Sequence, residues 1–128
     1  MTKYQVEFEK AHEKLDELAD KLRERTGVYT NEYTTLAYGR VMFEMNILGA
    51  YLEDAADVQM VASTFDDGEI WLGGVSDHIR ENEPKDAENF PFELIDEALE
   101  IVTEIRDLVQ EDVPRDPFMA LMRQLGAM

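Results

Sequence analysis

The chain has no cysteine among its 128 residues. That removes disulfide bridges, thiolate nucleophiles and thiolate metal sites from consideration. Basic residues are scarce too: 12 Lys and Arg stand against 29 Asp and Glu, a net charge of −17 at pH 7. Such a surface repels phosphate backbones and anionic lipid, so direct nucleic-acid binding and membrane association are not expected. It is also the surface of proteins that work in molar salt, where the Debye length shrinks to about 3 Å and self-repulsion fades. No long uninterrupted apolar run is present. The most hydrophobic stretch, from Leu36 to Leu52, contains Arg40 and Glu44 and is too short and too charged to span a bilayer. Thr2-Lys3-Tyr4-Gln5 follows Met1 without an apolar core segment, so a cytoplasmic location is the expectation.

The pattern that is present is helical. With 45% hydrophobic residues, the chain can build one core, and a single domain over 1–128 is expected. Thr2 and Gln5 have capping-box spacing. After them Tyr4, Phe8, Ala11, Leu15, Leu18 and Leu22 recur at alternating intervals of four and three among charged residues. This predicts a surface helix of about six turns that buries one stripe and ends at Gly27. The short linker through Thr30 predicts an antiparallel return.

The next helix is expected to be the centre of the fold, running from about Asn31 to Ala62. Tyr38, Met42, Met45, Gly49, Leu52 and Ala56 make one stripe, Ala37, Val41, Leu48, Tyr51 and Ala55 a second, and Phe43 and Ile47 face a third way. A helix that is apolar nearly all round requires cover nearly all round. Arg40 and Glu44, four apart, are placed to pair on its narrow polar edge. Asp66-Asp67-Gly68 reads as a stop. Beyond it Trp71, Val75 and Ile79 suit a short helix weakened by Gly73-Gly74, while a hairpin near residues 58–75, turned at Asp67-Gly68, is the alternative. Glu81 to Asn89 reads as a solvated connector around Pro84. Pro91 opens a third long helix with Leu94, Ala98, Ile101, Ile105 and Leu108 on one stripe and Ile95, Leu99, Val102 and Val109 beside it. Pro114 stops it, and a short C-terminal helix follows. The fold class is therefore all-α: an antiparallel bundle of three long helices plus that short one, against an α+β alternative containing the hairpin.

Candidate chemistry is thin. His12 on a helix resembles the accepting histidine of phosphotransfer domains, but the acidic Asp16 and Glu17 that follow would repel a phosphoryl group. Glu9 and His12 form one Glu-x-x-His unit, and no second unit exists to complete a di-iron site. Glu13-Lys-Leu-Asp16, Glu17-Leu-Ala-Asp20, Glu97-Ala-Leu-Glu100 and Glu104-Ile-Arg-Asp107 resemble the Glu-x-x-Glu and Glu-x-x-Asp units with which all-α nucleotide pyrophosphohydrolases of the MazG type bind Mg²⁺. That resemblance implies a metal-dependent hydrolase as an alternative function. Neither a phosphate-cradling glycine loop nor a Ser-His-Asp arrangement is present, so no catalytic, cofactor or metal residue is assigned.

Binding remains. Glu93, Asp96, Glu97, Glu100, Glu104 and Asp107 form a carboxylate ladder with rungs about 5 Å apart, able to imitate a phosphate backbone before a basic protein. Phe118, Leu121, Met122 and Leu125 have the spacing of a helix that docks in a groove. The expected function is that of a small acidic, non-enzymatic interaction protein whose partner is another protein or a second copy of itself.

Overall fold

A computed structural model describes residues 3–28, 32–82 and 90–115 of the chain. Every regular element among them is helical: α1 (Gln5–Val28), α2 (Glu32–Leu52), α3 (Val58–Asn82) and α4 (Phe92–Leu108), the last closed by a 3₁₀ turn at Val109–Glu111. The seam expected on α1 is buried along its whole length, from Tyr4 to Leu22. Ala19 is buried beside it, and apart from Val6 the exposed residues as far as Arg25 are all charged. The contrast between stripe and flank is what fixes this helix against the others.

The helices alternate in direction. Phe8 meets Tyr51 edge to face at 4.9 Å between ring centroids, so the start of α1 lies beside the end of α2. Tyr33 of α2 reaches His78 of α3, and Arg80 stacks over Phe92 at the start of α4. Lys3 and Tyr4 close the ring by bonding Asp112 just past the 3₁₀ turn. The result is an up-down four-helix bundle in which α2 neighbours α1 and α3 and lies diagonally across from α4. One core runs through all four helices.

The bundle differs from the expected three long helices at one boundary. α2 stops at Leu52, ten residues before the expected end, in a Schellman turn. The amide of Asp54 donates to the Tyr51 carbonyl at 3.1 Å and that of Ala55 to the Ala50 carbonyl at 2.7 Å. Asp54 takes the left-handed conformation, φ 63°, that the motif requires and that Asp tolerates better than most side chains. Asp57 then caps α3, its carboxylate accepting from the Met60 amide at 2.9 Å. Asp66-Asp67-Gly68, expected as a stop, lies inside α3, and the hairpin alternative is replaced by this continuous helix. The remaining boundaries fall near expectation, with Pro91 at the N-cap of α4. Thr2, the connector at 83–89 and the short terminal helix with Phe118, Leu121, Met122 and Leu125 lie outside the described residues. Among the described residues, no helix is long and apolar enough to cross a membrane.

Candidate functional site

The charged residues inside the bundle determine which surface is left outside. Arg40 and Glu44 do pair, Nε to Oε1 at 2.9 Å, but with the carboxylate in the interior: Glu44 is fully buried and Arg40, 18% exposed, reaches in from the edge. The guanidinium also donates to the Thr64 carbonyl of α3. Glu44 lies flat against Gly68, and its Oε2 has no hydrogen-bond partner among the described residues. Burial, opposed only by Arg40, pushes its carboxyl up to about 7. Farther along α3, Asp66 accepts from the buried Arg106 at 2.7 Å, and Arg106 holds the Val113 carbonyl at 2.8 Å. Arg115 bridges Glu69 and Asp107, each at 2.6 Å. Each of these carboxylates is matched by an arginine, and the Thr103 hydroxyl donates to Glu69 at 3.3 Å. The cluster is a strap between helices. Sequence periodicity missed it because Arg106 sits on an otherwise apolar face.

With its two interior charges turned inward, α2 presents an outer face almost without charge. Its exposed residues are Glu32, Thr35, Leu36, Gly39, Phe43 and Asn46, and only the first is ionic. Leu36 is 54% and Phe43 51% exposed, which corrects the expectation of a central helix covered nearly all round. Arg40 lies over one face of the Phe43 ring, 5.3 Å from its centroid, and props it outward. Beside Leu36 the surface dips into a groove of about 450 Å³ between α2 and α3, floored by Ile70, Trp71 and Val75. Tyr33 and His78 close one end through a 3.2 Å hydrogen bond.

The carboxylate ladder on α4 is where the sequence placed it. Glu93, Asp96, Glu97, Glu100, Glu104 and Asp107 are the exposed residues of that helix, all on one side. Glu93 pairs with Arg25 at 3.2 Å and Asp107 with Arg115. Glu97, Glu100 and Glu104 border a shallow depression shared with Lys14 and Lys21 of α1. The Glu-x-x-Glu and Glu-x-x-Asp units thus project from exposed flanks, and among the described residues no three carboxylate or imidazole groups converge on a point that could hold a metal. His12 is half-buried against Gly49, its Nε2 3.6 Å from where a side chain there would begin.

The structure therefore brings together a surface that the sequence reading did not single out. The signal was available: Leu36, Gly39, Phe43, Asn46 and Ala50 follow intervals of three and four without a charge among them. Comparison with protein-family models, with curated proteins and with solved structures finds no match to this chain.

Proposed function

We propose that the protein is a binding module, not an enzyme, and that it docks a protein partner on the outer face of α2 and the adjoining α2–α3 groove. The observation that carries this is the contrast between faces. α1 and α4 expose charge at nearly every outward position, whereas the exposed residues of α2 between Thr35 and Asn46 (Thr35, Leu36, Gly39, Phe43 and Asn46) are all uncharged, with Arg40 half-buried beside them and Glu44 buried. Large apolar side chains rimmed by polar surface are the anatomy of a protein-docking patch, with an aromatic at its centre as anchor.

A second reading rests on α4. Six carboxylates on one exposed face suit a basic partner, as a mimic of nucleic acid would require. Capture from the native lysate on immobilised chain separates the two. Loss of the captured partner with Phe43→Glu, and its retention when Glu97, Glu100 and Glu104 are changed to Gln, supports the α2 face. The reverse pattern transfers the function to α4.

A further inference from the structure

We infer that the occupant of the α2 face is a second copy of this chain, with the two α2 helices antiparallel about a two-fold axis. The inference rests on the reading of that face as a docking surface and names what covers it.

The α2 face is self-complementary. Leu36, Gly39, Phe43, Asn46 and Ala50 alternate at intervals of three and four, the spacing with which helices pack side by side at small crossing angles. A two-fold contact must bring residue i to j and j to i. An axis at the level of Val41 sets Phe43 over Gly39 of the partner subunit, and Gly39 under Phe43 of the partner subunit. Gly39 has nothing within 4 Å of where its Cβ would stand, so the space above it is open for a ring. The same axis pairs Leu36 with Asn46, polar against apolar only at the amide, and sets Glu32 at the rim. One large side chain and one vacancy, four residues apart on the same stripe, are what an antiparallel self-contact needs.

Charge favours the same face. A second copy arrives carrying −17, and only a face free of carboxylates admits it without like-charge contact. α2 supplies that face, and because α4 lies diagonally across the bundle, the two carboxylate ladders end up at opposite poles of the pair. A basic partner, by contrast, gains nothing from a stripe without negative charge.

Twenty-one residues make α2 about 30 Å long. With the flank of α3 roughly 9 Å away, the contact covers on the order of 600 Å² per chain, the lower edge of what specific interfaces bury. A contact of this size makes a reversible pair, one that tightens with salt as the long-range repulsion is screened.

Sedimentation equilibrium tests this on the full chain. The expected result is a concentration-dependent species of twice 14.8 kDa, strengthened between ~0.1 M and ~2 M KCl. Gly39→Glu and Phe43→Glu are expected to weaken it at least ~10-fold with helix content unchanged, since both positions face solvent in the single chain. The absence of native cysteine permits a register test: Gly39→Cys chains mixed with Phe43→Cys chains should give a disulfide-linked pair, and Gly39→Cys alone should not. A mass of 14.8 kDa at every concentration and salt overturns the inference, as does ready cross-linking of Gly39→Cys to itself. A monomeric chain that still loses a captured protein through Phe43→Glu keeps the docking face and rejects the second copy. If Phe43→Glu changes neither mass nor capture, both readings fall.

Discussion

Gly68 of α3 faces the carboxyl group of Glu44 on α2 so closely that a methyl group added there would overlap Oε1 and come within 3.0 Å of Cδ. Val102 of α4 closes the third side, its Cγ1 3.3 Å from the same point. Arg40 holds the carboxyl group in place, so it cannot swing away. Gly68→Ala is therefore expected to destabilise the fold by about 2–3 kcal/mol although alanine is the better helix former by ~1 kcal/mol. Gly74→Ala, in the same helix but with open space around it, should stabilise by roughly 0.5–1 kcal/mol. Urea unfolding of the two variants checks both; equal shifts of the same sign would mean that Glu44 does not lie against Gly68.

The Glu44 carboxyl titrates near 7 in the fold against a usual value of 4.5, so the folded chain holds this proton more tightly than the unfolded one. Stability from this group is greatest below pH 4.5, falls as the pH rises through the interval from 4.5 to 7, and levels off above it. The loss is on the order of 3 kcal/mol. Glu44→Gln, neutral at every pH, should flatten that part of the curve and melt higher than the parent at pH 8. Identical pH profiles for parent and variant would place the carboxyl group in water.

Leu48 is fully buried and Phe43 half exposed on the same helix. Leu48→Ala should cost about 2–5 kcal/mol. Phe43→Ala, measured at a concentration where the chain is monomeric, should cost well under ~1 kcal/mol, as surface changes do. A comparable loss at both positions would show that Phe43 is covered within the single chain.

Screening should stabilise the fold as a whole. With 29 acidic against 12 basic side chains, the melting temperature is expected to climb from ~0.1 M to molar KCl as repulsion between the α1 and α4 faces is damped. A flat profile would remove salt adaptation as the reason for the acidity.

How legible each helix was in the sequence depended on contrast. On α1 and α4 the apolar stripe is flanked by charge, so buried and exposed positions could be told apart residue by residue. Only Arg106 broke the rule on α4, because its partner Asp66 lies on another helix. On α2 nearly every residue is apolar, and sequence alone does not say how many neighbours a helix has. Phe43 was therefore read as covered. The α2–α3 boundary was hidden for a different reason: Asp54 occupies a position where glycine is the usual marker, while the glycine that looked like a stop, Gly68, makes room for Glu44. The four-residue spacing of Arg40 and Glu44 announced their pairing, yet not that it would be inside. The α4 ladder was legible as a surface; the α2 seam came into view only once the helices around it were placed.

The diagonal placement of α2 and α4 gives the molecule a valence. Its least charged edge is α2 with the adjoining flank of α3, and once that edge is covered, whatever covers it, the outward faces of α1 and α4 still present carboxylates. An association through α2 would thereby limit itself, because further copies would meet carboxylates on α1 and α4.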